Sequence, residues 1–310
     1  MGNTISGGGG ATSVVQQYYE KKFTMESRKN FVLKALGMSG SVPKHSGSSV
    51  VWNRFSLPTA KSTALTDATD PTPTGLSAAM VSANLNVYGN FERIGQLLDM
   101  TAVSSVVEKA VDLLAYEAAL SMDTVCYGEI SAGGTAMYAS SVAARNSLID
   151  TNTFTVKDVR RAVNKLQNFS ARPHTGNRYV AIADPDVIFD LQGDSDWVNA
   201  HTYTDKGINN IYNGEVGELY GVKFLQTTNA PILTNSGSVG GTTNIHMTHI
   251  MGKDFFGVSE LYGLQTWVDS PSKNVVMRHA SDVAWKASFA VKTLNDSFGI
   301  RMESAASLTA

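Results

Sequence analysis

The 310-residue sequence is poor in charge, cysteine and long apolar runs. Lys, Arg, Asp and Glu make up 17% of it, below the roughly 25% of an average globular protein. Much of the surface must be Ser, Thr, Asn, Gly and Ala. Such a surface costs little to desolvate, which suits burial against further copies of the chain. The single cysteine, Cys126, excludes an internal disulfide framework and any Cys-based zinc site. Its apolar neighbours make it a small core residue, not a nucleophile. No apolar run approaches the roughly 18 residues of a membrane span, and the start of the chain lacks a signal-peptide core, so folding in a reducing cytoplasm is expected. A formal net charge of −2 argues against a dedicated nucleic-acid binder. No P-loop, G-x-S-x-G or dinucleotide glycine pattern is found at a strand–helix turn.

What is there is a mixture of helical and extended patterns without regular β-α alternation, which predicts an α+β fold. Residues 1–13 are Gly-, Ser- and Thr-rich and are expected to be flexible. An arm follows, "VVQQYYEKKFTMESRKNFVLKAL", then the loop "GMSGSVPKHSGSS". The stretch "VVWNRFSLP" (50–58) reads as a strand, and "SANLNVYGNFER" (82–93) alternates with period two. Together they predict a long hairpin with an elaborate, turn-rich tip. Its apolar positions Val51, Phe55, Leu57, Val81, Leu85, Val87 and Phe91 are expected to form one stripe. A lone two-stranded ribbon is marginal in water, so something else must cover that stripe. A helix of roughly 28 residues follows, capped by Asp99 or Thr101. Its face is expected to be Val103, Val106/Val107, Ala110, Leu113/Leu114 and Ala118. A second amphipathic helix covers 155–171, with Val156, Val159, Val163 and Leu166 on one face. Its Lys and Arg side chains form a solvated face. "SDVAWKASFAVK" alternates again, with Val283, Trp285, Ala287, Phe289 and Val291 on one side.

The run "ADPDVIFDLQGDSDWVNAH" holds five aspartates. Asp184-Pro185 reads as a helix start, with Asp as N-cap and Pro at the first helical position. Asp186 falls in the first turn, where the helix dipole favours a carboxylate. Asp190 lies four residues on, Gly193 ends the helix, and Asp194 and Asp196 sit in a turn. Each aspartate thus has a structural role without a metal. His246 and His249 are three apart in a strand and point to opposite faces, unlike a zinc pair. A metal-dependent hydrolase using Asp184, Asp186, Asp194, Asp196 or His201 is the enzymatic alternative. A phage tail or adhesion component is another.

Several segments in order carry a resemblance. They are "YYEKKF", the hairpin, "YGNFERIGQLLD" entering the long helix, "RRAVNKLQNFSARP", "YVAIADPDVIFDLQGDSDWVNA" and "IYNGEVGELYGVKFLQTTNAP". The series resembles the major capsid proteins of tailed bacteriophages, in the branch of the coliphage N-four coat protein. The resemblance implies the Hong Kong 97-type (Johnson) fold and a non-enzymatic, self-assembling coat protein without cofactor or metal. The implied map is an N-terminal arm (1–49), an extended loop (50–97), a peripheral domain with spine helix (98–177), an axial domain (178–270), and a closing peripheral strand with the C-terminus (271–310). Implied partners are other copies in pentamers and hexamers, a portal, a separate scaffolding protein or none, a decoration protein, and packaged double-stranded DNA. No membrane is involved. The implied location is the phage head, assembled in the bacterial cytoplasm. Contact candidates are Tyr18, Tyr19, Phe23, Val51, Phe55, Leu57, Lys61, Val81, Leu85, Val87 and Phe91.

Overall fold

The computed structural model describes residues 33–43, 47–55, 77–102, 105–174, 176–202, 217–238, 240–269 and 279–308, with isolated residues between 60 and 75 and at 272, 276 and 277. Tyr18, Tyr19, Phe23 and Leu57 lie outside the described residues. No described helix is long and apolar enough to cross a membrane.

Two sheets share one long helix. The first has strands β1 (Met38–Ser41), β11 (Phe256–Asp269), β12 (Ala280–Thr293) and β4 (Asn86–Gly95), in the order β1-β11-β12-β4. Helix α2 (Val106–Ala132) lies against it. The expected face of β12 is correct: Val283, Trp285, Ala287 and Phe289 are buried in the cluster that contains Leu114, Ala118 and Met122, with Val291 packed at its edge. Burying one such large side chain contributes about 1.5–3 kcal/mol. The other flank of α2 meets Val180 and Ile182 of β6 (Tyr179–Ala183) and Met251 of β10 (Thr243–Met251). Alanines 110, 115, 118 and 119 are buried along α2. Side chains this small let two sheets close on one helix.

The second sheet runs β5-β13-β10-β6-β8-β7, with β9 (Ile232–Gly237) also on β10. Its further strands are β5 (Thr135–Tyr138), β7 (Glu218–Leu219), β8 (Val222–Gln226) and β13 (Gly299–Ser304). Helices α3 (Val156–Asn168) and α4 (Pro185–Gly193) cover its far face, through Val156, Val159, Leu166, Val187 and Leu191 packed with Ala181, Ile250 and Met302. Strand β6 is therefore buried on both faces, as a central strand with helices on either side must be. Helix α3 starts in a capping box: Thr155 and Asp158 bond each other's backbone N–H. Asp158 also pairs with Arg161 at 2.7 Å.

Three expectations change. The 82–93 run is not one hairpin strand. Strand β2 (Ser49–Phe55) pairs with β3 (Ala78–Asn84), the ladder breaks at Leu85, and β4 continues on β12. The long helix is interrupted. A short α1 (Gln96–Thr101) precedes α2, whose N-cap is Ser105, although Asp99 Oδ1 still accepts from the Val106 N–H at 3.2 Å. Leu113 is 66% exposed and not on the buried face, while Val103 is outside the described residues. Finally, the loop after the arm contains β1, parallel to β11. Just before it, Leu33 is fully buried and Lys34 pairs with Glu260 at 2.5 Å. The root of the arm is thus tied into the subunit.

Candidate functional site

The β2–β3 ribbon is the feature with least internal support. Cross-strand partners share a face, and the register sets Trp52 opposite Val81, and Val51 opposite Ser82. The expected single stripe is therefore split. Val50, Trp52, Val81 and Ala83 form a half-buried inner face, with Leu85 half-buried just beyond it. Trp52 sits over Gly257 of β11, where a Cβ would come within 2.9 Å of the indole. The outer face carries Val51, Phe55 and Met80, exposed by 52%, 60% and 79%. Met80 was not anticipated; it sits where "AAMVSAN" alternates against the assumed face. Lys61, between the two strands, is exposed.

Val87 and Phe91 belong elsewhere. Ladder pairs Phe91–Ala284 and Ala284–Trp267 set them on the outer face of the four-stranded sheet. There the Lys286 ammonium lies over the rings of Trp267 and Tyr262, 4.7 and 5.6 Å from their centres. Tyr88 turns inward against Phe289, and the Asn90 amide donates to Glu117 of α2 at 3.0 Å. A further apolar surface surrounds the junction of α1 and α2: Leu97, Leu98, Met100, Leu113 and Tyr116 are all exposed.

Two of the five aspartates, Asp184 and Asp194, act as caps. Asp184 accepts from the Asp186 N–H at 3.3 Å at the start of α4, with Pro185 at its first position. Asp194 serves two helices: its Oδ2 accepts from the Val156 N–H of α3 at 3.0 Å, and its Oδ1 from the Asp196 N–H of α5 (Ser195–Thr202) at 3.0 Å. Asp190 accepts from the N–H and hydroxyl of Ser307. Sequence reading missed the partner of Asp184: His246 Nδ1 of β10 lies 3.2 Å from Asp184 Oδ2. Burial pushes the Asp184 carboxyl above its usual range, against the Asp186 N–H and His246, which act the other way. Asp184, Asp186 and His246 have ligand atoms within 4.8 Å of one another, the one such trio among the described residues. Asp194 and Asp196 do not join it, so the four carboxylates proposed for hydrolysis do not converge as one set. The His201 side chain lies outside the described residues.

The two neighbouring histidines do point apart. His249 faces α2, with Nε2 3.2 Å from Ser131 Oγ. Burial, with Arg301 adding to it, pushes His249 down to about 3. Cys126 is 1% exposed, and burial pushes its thiol up to about 12. Both are core groups.

No protein-family model matches the sequence, and no curated protein matches it. Solved structures do match the fold. The capsid of Ralstonia phage GP4 aligns at a TM-score of 0.71 over 89% of this chain and 91% of that one, at 13% identity. The cyanophage Pam1 capsid aligns at 0.67 over 86% and 87%, at 14% identity. A virus-like particle from Pyrococcus furiosus aligns at 0.57 over 93% and 99%, at 10% identity. The fold is thus that of a shell subunit. In particular, it is the Hong Kong 97-type fold of phage capsids, as the resemblance implied.

Proposed function

We propose that this chain is the major coat subunit of a tailed-phage head. Copies associate as pentamers and hexamers of an icosahedral shell that encloses double-stranded DNA. The observation that carries this reading is the agreement of the fold, over most of both chains, with phage capsid subunits. Two unmatched apolar surfaces on one chain support it: the outer face of the β2–β3 ribbon, and the α1–α2 junction. A ribbon laid on the neighbour's junction makes a heterologous contact, and such contacts close into rings. The role is structural, not catalytic.

The proposed map is the arm to residue 49, the extended loop over 50–97, the peripheral domain from 98, the axial domain over 178–270, and peripheral closure after 271. The four-stranded sheet with α2 supports the peripheral unit and favours drawing β11 (Phe256–Asp269) with it in place of the axial domain. The packing of α3 on the seven-stranded sheet favours drawing that helix with the axial unit. A portal, a scaffolding protein, a decoration protein and packaged DNA are the proposed partners. The location is the phage head, with assembly in the bacterial cytoplasm.

The test is sedimentation and negative-stain microscopy of the purified full chain. Closed shells, or pentamers and hexamers, support the reading. Fibres, tubes or a small discrete oligomer would overturn it. Likeness to the Pyrococcus furiosus particle supports a second reading, a virus-like particle and not a phage head. Nuclease-resistant DNA inside particles from infected cells separates the two.

A further inference from the structure

Helix α3 presents an exposed arc made of Lys157, Arg160, Arg161, Asn164, Lys165, Gln167 and Asn168. At 100° per residue these positions share one side, and none is acidic. The one acid on the helix, Asp158, is buried and spent on Arg161 and on the capping box. Lys157 and Arg160 have no carboxylate partner among the described residues. The arc borders a groove of about 670 Å³, closed on its other side by Tyr220. Tyr220 sits in the turn between β7 and β8 with a left-handed backbone, φ 49°, beside Gly221 at φ 75°. This is an uncommon conformation for a tyrosine. It holds the half-exposed ring out of the sheet, and Arg160 lies over it at 5.4 Å from the ring centre. Such a contact orients the guanidinium while leaving its N–H edges free. The nearest acid on that turn, Glu218, is already paired with Arg178 at 2.9 Å.

We infer that this groove binds the phosphate backbone of double-stranded DNA without sequence preference. The inference rests on the coat-protein reading for its source of DNA. The helix residues lining the groove, Lys157 to Gln167, span about 15 Å, enough for about four successive phosphates of one strand at roughly 3.4 Å each along the duplex axis. Asn164 and Gln167 line the groove beside Lys157 and Arg160, and their amides can donate to phosphate oxygens. Lys157 and Arg160 supply the point charges, and Tyr220 is a positioning residue for Arg160. A chain with net charge −2 overall thus concentrates positive charge on one helix face.

The test uses a random-sequence 30-base-pair duplex and the full chain, with binding followed by anisotropy as salt is varied. Lys157→Gln with Arg160→Gln should flatten the slope of log K against log salt by about two, and leave shell yield unchanged. Tyr220→Ala should flatten it by less, and Tyr220→Phe should restore it, because the ring alone orients Arg160. Acetylation footprinting of the unmutated chain gives a variant-free check: the duplex should protect Lys157 and leave Lys165, which lies off the groove over the Phe169 ring, reactive. An unchanged salt slope, or no protection of Lys157, overturns the inference and leaves the coat reading intact. Lost shells with duplex binding retained would assign the groove to a contact between copies, which also overturns it. Duplex binding with the expected slope change, but no shells from the unmutated chain, supports the groove and removes the coat reading.

Discussion

Asp184 Oδ2 lies 3.2 Å from His246 Nδ1, joining the first turn of α4 to the middle strand of the seven-stranded sheet. The same oxygen accepts the Asp186 N–H, so one carboxylate caps a helix and fixes a ring on β10. Asp184→Ala should lower stability by about 1 kcal/mol through the lost cap, measured by urea unfolding at pH 7. Asp184→Asn, which retains an acceptor, should lose less. Metal content of the purified chain should not change with either variant. Stoichiometric divalent metal lost in Asp184→Ala would mean that the trio with Asp186 is a metal centre.

Arg93 holds Asp282 through two bonds, at 2.7 and 2.9 Å, across the β4–β12 ladder, and the Ser272 hydroxyl adds a third. The Arg93 bond pulls the Asp282 carboxyl below its usual range, and Ser272 helps. A depressed carboxylate contributes stability that is full above its unfolded value, roughly 4, and is lost as pH falls through the folded value. Asp282→Asn should therefore melt lower than the unmutated chain at pH 7, with the gap closing below about pH 4. A gap that stays constant down to pH 2.5 would remove the pair from the acid response.

His249 behaves with the same slope and another origin. Its ring stays neutral in the fold down to about pH 3, whereas an unfolded histidine protonates near 6.5. Between these values the unfolded chain binds the extra proton, so stability falls as pH drops below about 6.5, by up to about 1.4 kcal/mol per pH unit. Urea unfolding at pH 7, 6 and 5 should show a shallower fall in His249→Gln. His174, lowered by burial as well, should leave part of the slope in place. Equal slopes in both chains would mean that His249 titrates normally in the fold.

On the ribbon, Phe55→Asp and Met80→Asp introduce carboxylates on the outer face. If a neighbouring copy covers that face, each buries a charge without a partner. Particle yield on a sucrose gradient should collapse while circular dichroism stays native. Trp52→Ala, on the inner face over Gly257, should instead lower the thermal midpoint of the subunit itself. Normal shells from both aspartate variants would show the outer face to be free in the particle.

Local signals were readable and long-range ones were not. The Asp-Pro start of α4 and the Thr155–Asp158 box of α3 are written within four residues. The alternation of β12 survives because both its neighbours belong to one sheet, over one helix. The alternation of 81–94 is equally regular, but the inward face changes at Leu85. Val81 and Ala83 turn in on β3, whereas Tyr88 and Ile94 turn in on β4. A one-residue shift of that kind reverses every side chain after it, and no Gly or Pro stands at the break to announce it. Val87 and Phe91 were assigned to the ribbon for that reason. His246 is 62 residues from Asp184, and only the order of β6 and β10 in the sheet brings them together.

The burial of Cys126 gives the chain a practical property. Its lone thiol sits on the buried face of α2 and is held protonated by its surroundings. The natural sequence therefore serves as its own cysteine-free background for labelling. A thiol added at Phe55 would be the sole accessible one, and one added at Leu98 likewise. If the ribbon of one copy lies on the α1–α2 junction of the next, carrying both on one chain would turn that contact into a covalent ladder, readable as a series of bands on a denaturing gel.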